Sequence, residues 1–380
     1  MKNNWIRLLA GALVSVLLVG AFALTGGMKS GKSTDGLLYQ ASGLHPDGEM
    51  LVIDGQIVPC EEYLYWVGSI CDYISAQLPD VDWSADIPTA GMTYGDYVKL
   101  ESVAAVKQTA VACAWAQQAG ITLTEQELAQ LDAQIQALEQ IYGEDYFDHQ
   151  LSLMGLSRDT YRKMLQDRYL YQKLEQTFCT AGSALYPDDA ALTDYASQNG
   201  YATFCLLTLT GDNAETMAAD LLERWQAAED KAAEYAAICS ELQQDGGSVT
   251  LAASEGDPLS DAIMALELEE MTSVVDPYGS GECYVALRTD LDLPALVETY
   301  FGDQFNARLD SAAVVSNAKL YNALDVGAFY EKLTALRTEL SDAYAAANDQ
   351  TGATDTDTTD GDTDTTGTDA AADTDTEPAA

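Results

Sequence analysis

The chain reads as mainly α with an α+β insert, and three observations carry that reading. Apolar residues recur at helical spacing over 59–180 and again over 295–346. Between them, over 190–290, strand-like runs alternate with short helical segments around a Gly-Gly break. From Asp349 onward the chain carries nine aspartates, one glutamate and no basic residue. Such a segment has almost nothing to bury, so residues 348–380 read as a disordered acidic tail.

Taken in order, Lys2 and Arg7 precede an apolar run from Leu8 to Leu24, and Ala21-Phe22-Ala23 offers small residues for cleavage. Residues 1–27 therefore read as an export signal, either cleaved or kept as a membrane anchor. Residues 28–48, punctuated by Gly, Ser and Lys, read as a linker. Met50–Ile53, Asp54-Gly55 and Gln56–Val58 predict a hairpin, because Asp-Gly suits the primed two-residue turns. Pro59 then opens a helix with Tyr63, Trp66, Ile70 and Tyr73 on one stripe.

Thr93 and Asp96 cap a long helix that Gly120 ends, and Thr124 with Glu127 predicts a capping box for the next. Ser157 opens a fourth helix carrying Tyr161, Met164, Leu165 and Tyr169. Short connections predict that these helices pack as a bundle, residues 49–185. Ala202–Thr210 then reads as a strand and Asn213–Ala228 and Lys231–Glu241 as helices. Strands at Ser248–Leu251, Thr272–Val275 and Cys283–Arg288, with a helix at Leu259–Leu266, complete the insert. The helices of 294–346 need a partner for their apolar faces and are expected to pack back on the bundle through Phe305, Leu309, Leu320 and Tyr321.

Composition narrows function. Eighteen basic against sixty-one acidic residues leave a net charge of -43, which would repel phosphate backbones and excludes a nucleic-acid partner. The only histidines are His45 and His149, so no His-rich metal centre is available, and no cofactor or metal is implied. Seven cysteines contain no CxxC pair and sit beside apolar neighbours, as small buried hydrophobes do. Asp362, Asp364, Thr366, Gly367 and Asp373 fall loosely on calcium-loop positions but lack flanking helices, so the tail reads as a solvated spacer. Arg158, Arg162, Lys163, Arg168 and Lys173 gather scarce positive charge on one helix, where Asp159, Asp167 and Glu175 stand within pairing reach.

Over residues 50–335 the chain resembles exported SurA/PrsA-type peptidyl-prolyl isomerases and foldases. The resemblance rests on Val52–Val58 followed by Glu61-Glu62-Tyr63, on Thr93–Lys99, on Gly120–Thr124, and on Phe147 through Ser157 into Tyr161. In the insert it rests on Asn199-Gly200-Tyr201, Pro258–Leu266 and Glu269–Thr272. It implies a SurA-N-like helical chaperone domain with a parvulin-like module at 190–290. It also implies an extracytoplasmic or secreted location, unfolded exported polypeptides as partners, and membrane contact through the N-terminal segment if that is uncleaved.

Against the family pattern, Phe204-Cys205 stands where a histidine is usual, and Glu255 and Leu259 replace the methionine and phenylalanine of the proline pocket. Cys283 falls at the second histidine, and Asp245 at the polar position before the Gly-Gly turn. Isomerisation needs a dry ring pocket and polar groups around an amide whose barrier is about 18–20 kcal/mol. The resemblance with these departures implies a chaperone whose parvulin-like module is degenerate. An active isomerase and a cell-surface assembly subunit are the alternatives. Tyr63, Trp66, Tyr97, Trp115, Tyr161 and Tyr169 are the aromatic candidates for client contact, although their helical spacing suits core packing for most.

Overall fold

The computed structural model describes residues 36–44, 50–88 and 90–352. The signal or anchor of 1–27 and the tail from 353 onward, with its calcium-like spacing, lie outside the described residues. No described helix is long and apolar enough to cross a membrane.

The described chain opens with a correction. Residues 37–42, read as part of a linker, form helix α1 (Leu37–Ser42), and Leu37, Leu38 and Ala41 are buried. A single turn and a half has no period to detect, and its Gly-Ser surroundings resemble a spacer. Burial decides here: Leu38 fills the space beside Gly155, where a Cβ would lie 2.3 Å from Leu38 Cγ.

Strands β1 (Leu51–Ile53) and β2 (Gln56–Val58) form the expected hairpin. Asp54 (φ +48°) and Gly55 (φ +79°) both take the left-handed conformation that a type I′ turn demands. Helices α2 (Cys60–Gln77), α3 (Tyr94–Gln118) and α4 (Glu125–Tyr142) follow. Thr93 caps α3 by accepting from the Asp96 N–H, and Thr124 with Glu127 forms the capping box of α4. The structure adds a helix that spacing alone does not predict, α5 (Glu144–Met154), set off from α4 by Gly143 at φ +87°. Helix α6 (Arg158–Cys179) starts at Ser157, whose hydroxyl accepts from the Thr160 N–H. Glu61, from the first turn of α2, accepts the Ser157 N–H and ties the two helix starts together.

The basic residues of α6 pair mostly across helices rather than along their own. Arg158 meets Glu139 and Asp148, Arg162 meets Asp132 at 2.6 Å, and Lys173 meets Glu127 at 2.6 Å. Only Lys163–Asp167 follows the helical register. These pairs pin α4 and α5 onto α6, each contributing little singly because both partners remain partly open to solvent.

Helix α7 (Asp189–Asn199) leads into the insert: β3 (Tyr201–Leu209), α8 (Ala214–Ala227), α9 (Lys231–Leu242), β4 (Ser248–Ala252), α10 (Pro258–Met264), β5 (Met271–Val275) and β6 (Cys283–Thr289). Its sheet is antiparallel in the order β4-β3-β6-β5.

The chain then returns. Helix α11 (Val297–Ser311) stacks Phe301 and Phe305 on Trp115 at centroid distances of 5.3 and 6.4 Å. Strand β7 (Val314–Ser316) pairs with β1, so the first sheet reads β2-β1-β7. The short α12 (Ala318–Ala323) sets Tyr321 against Tyr63 at 6.2 Å. Helix α13 (Val326–Gly352) buries Phe329 and Leu333 in the same core and runs through 348–352, a stretch the composition assigns to the tail. Arg337 of α13 reaches both oxygens of Asp72 at 2.9 Å and the Leu153 carbonyl at 2.8 Å. Residues 37–199 and 291–340 therefore share one core.

Candidate functional site

The insert is three layers deep. Helices α8 and α9 cover one face of its sheet and α10 covers the other. Strand alternation sends successive side chains to opposite faces. Phe204 points to the α10 side, buried with Ala202, Leu259, Ile263 and Ala286. Cys205 and Cys283 point to the α8–α9 side, with Leu207, Leu221, Trp225 and Ile238.

The five positions carried over from the family pattern are therefore not brought together. Phe204 and Leu259 share one small core, while Cys283 lies on the far side of the sheet. Glu255 is exposed in the loop before α10. Asp245 is exposed too, and its Oδ1 accepts the Gly247 N–H at 3.3 Å, a turn contact. The turn is closed instead by Gln244, whose amide donates to the Thr208 carbonyl at 2.6 Å and accepts its N–H at 3.0 Å. Burial raises the thiol pKa values of Cys205 and Cys283, so both stay protonated at neutral pH.

On the Phe204 face β6 carries two polar side chains, Arg288 directly opposite Phe204 and, one residue beyond Cys283, Tyr284. Its hydroxyl donates to Glu282 at 2.6 Å, a bond that raises its own pKa and lowers that of the Glu282 carboxyl. Tyr278 packs edge-on against Tyr284 at 6.1 Å and donates to Asp257 at 2.8 Å. The alternation of 283–289 carries this signal, since a shift of one residue exchanges the faces. Register also places Val249 and Leu251 of edge strand β4 opposite Phe204 and Ala202, on the α10 side. They stand 43% and 52% exposed, an open apolar strip beside the closed core.

No protein-family model matches the chain, and no curated protein matches its sequence. Among solved structures it is similar to foldase protein PrsA from Streptococcus pneumoniae, at 15% identity over 66% of this chain and 92% of that one, with a TM-score of 0.21. A SurA-like chaperone of Campylobacter jejuni is 12% identical over 71% of this chain and 99% of that one, with a TM-score of 0.24. PrsA from Bacillus subtilis is 16% identical over 68% of this chain and 92% of that one, with a TM-score of 0.19.

In the helical part, the structure closes off four of the six aromatic candidates. Tyr63, Trp66, Trp115 and Tyr161 are buried in the shared core, where helical spacing and a large apolar body put them. A client cannot reach them while the core is packed. Tyr97 and Tyr169 remain half-buried. The Tyr169 hydroxyl donates to Gln134 at 2.5 Å. Burial raises the Tyr97 pKa, with Glu101 and Tyr73 adding to the shift. Tyr73 and Leu100 beside it are 36% and 50% exposed, so this corner of α2 and α3 offers an aromatic and aliphatic patch.

Sequence reasoning misses a buried charge cluster. Glu62 is 3% exposed, 3.8 Å from Lys163, which pairs with Asp167. Burial pushes the Glu62 carboxyl up to about 7, with Lys163 opposing the shift. The Cys113 thiol next to Asp167 is pushed up to about 12, again first by burial. The signal available was an acid directly before the apolar run Tyr63–Val67, a helix whose whole circumference is covered, so that periodicity alone leaves Glu62 on a solvent face.

Proposed function

We propose that this chain is an extracytoplasmic folding factor that holds unfolded exported polypeptides, and that its parvulin-like module accelerates prolyl isomerisation little or not at all. The observation that carries the second half is the closed packing of Phe204 against Leu259 in a module without a histidine. Transition-state stabilisation needs its polar groups and ring-binding wall on one side of the substrate. Here Phe204 and Leu259 pack against each other, Glu255 faces water, and the module contains no histidine.

Holding a client needs less: exposed apolar contacts that are weak and numerous, and a surface that keeps the complex soluble. The strip of Val249 and Leu251 and the patch of Tyr73, Tyr97 and Leu100 supply the first. A net charge of -43 supplies the second. The resemblance of residues 50–335 to exported foldases agrees with this reading in kind.

The test measures both activities on one preparation. Proline-peptide isomerisation should stay near the uncatalysed rate, while aggregation of an unfolded client should be suppressed. A Glu255→Met, Leu259→Phe double variant should not restore isomerisation, because it supplies no histidine and leaves the Tyr284 hydroxyl committed to Glu282. A wild-type rate like that of an intact parvulin would overturn the catalytic half, and failure to protect any client the other.

A further inference from the structure

A cleft of about 530 Å³ opens where the loop before α3 meets the starts of α3 and α13. It is preformed. The Gly95 N–H donates to the Trp83 carbonyl at 2.8 Å and the Tyr94 N–H to Ala85 at 3.1 Å, fastening the loop to the helix. Gly327 lies against the loop, where even a Cβ would sit in contact with Trp83 at 3.4 Å. Trp83 and Tyr330 form an aromatic wall, ring centroids 5.4 Å apart and edge-on. The Tyr330 hydroxyl is fixed by Asp72 at 3.0 Å.

Four carboxylates border this wall: Asp82, Asp96, Asp325 and Glu331. Three do local work. Asp82 Oδ1 accepts from Ser84, Asp96 Oδ2 from the Thr93 hydroxyl, and Asp325 Oδ1 from the Ala328 N–H. The Ala85 N–H also reaches the Asp82 carboxylate, while the second oxygens of Asp96 and Asp325, and Glu331, meet no donor among the described residues. The one cation lining the cleft, Lys99, lies over the Tyr321 ring at 5.6 Å and is in salt-bridge contact with none of them.

An aromatic wall bordered by open carboxylates complements one chemistry, a cation on an apolar stem. We propose that this cleft docks arginine- or lysine-bearing segments of unfolded polypeptide, which makes the protein selective for basic clients. The proposal rests on the folding-factor reading and assigns it a client class. The occupant cannot be the acidic tail, which carries the same charge as the rim. The molecule's net charge of -43 would draw basic segments in from a distance, and the cleft would hold them.

The experiment uses the full chain and two fluorescein-labelled unstructured peptides, identical except that citrulline replaces arginine in one. Fluorescence anisotropy reads binding to wild type and to two triple variants. Asp82→Asn, Asp325→Asn, Glu331→Gln removes cleft charge while asparagine keeps both capping oxygens. Asp212→Asn, Asp220→Asn, Glu223→Gln removes the same charge from the insert, away from the cleft. The cleft variant should lose about tenfold in affinity for the arginine peptide, the scale of one well-placed cation–π or charge contact, and should bind the citrulline peptide unchanged. The remote variant should match wild type within about twofold. Equal losses in both variants, or a wild type that does not prefer arginine, would overturn the cleft and leave the folding-factor reading standing. A wild type that binds neither peptide would overturn both.

Discussion

Burying Glu62 beside a lysine that Asp167 already holds makes its charge costly. Its carboxyl titrates near 7 in the folded chain, above the 4.5 of an ordinary glutamate. A folded pKa raised above the unfolded one means the folded state holds its proton more tightly. Stability from this group is therefore fully present below about 4.5 and is lost as pH rises through about 7. Glu62→Gln should flatten that slope and stabilise the protein at pH near 8 by roughly 1–3 kcal/mol. Urea midpoints of both proteins at acidic and alkaline pH would check it; a variant less stable than wild type at the alkaline end would contradict the account. Phe204 makes a second case. It fills the small α10-side core, so Phe204→Ala should cost about 3–5 kcal/mol in the unfolding of the insert while leaving the isomerisation baseline where it was. A variant that changed catalysis but not stability would place Phe204 in a working site instead.

At the scale of elements, Gly155 ends α5 at φ +76° and leaves the space that Leu38 of α1 occupies. Gly155→Ala meets both penalties, a left-handed backbone and an overpacked contact, and should cost about 2–4 kcal/mol. Hydrogen exchange over residues 37–42 should rise sharply in that variant. What was legible in the sequence divides along the same line. Thr93, Thr124 and Ser157 were readable as helix starts because a cap and its donors lie within four residues. Helix α1 and strand β7 were not, because each owes its form to a partner far along the chain, Gly155 and β1 respectively. The candidate site failed more narrowly. Counting along a family pattern reached Cys283, but only the strand register tells that Tyr284 and Arg288, not Cys283, share a face with Phe204.

For the whole molecule, charge repulsion is the force that matters most beyond the core. Sixty-one acidic residues against eighteen basic ones repel one another, and several of the basic groups are already paired on α4, α5 and α6. Salt screens such repulsion over a Debye length of about 8–10 Å near physiological ionic strength. The melting temperature should therefore rise between low salt and a few tenths molar NaCl, whereas affinity for basic clients should fall. Calorimetry and anisotropy on the same samples would test the opposed trends; a parallel response would mean that client binding is not electrostatic.

The pairing of β1 with β7 joins residues 51–53 to 314–316, and Phe329 and Leu333 complete a core begun by Met50, Tyr63 and Leu64. A chain emerging from the ribosome reaches its hairpin early and must wait for well over two hundred further residues before the third strand arrives. Until then the first helices have their apolar faces open to water. The insert, whose contacts lie within about ninety residues of one another, can close on its own during that interval. A chain built this way passes through an exposed state before its core closes, and its own synthesis depends on help or on speed.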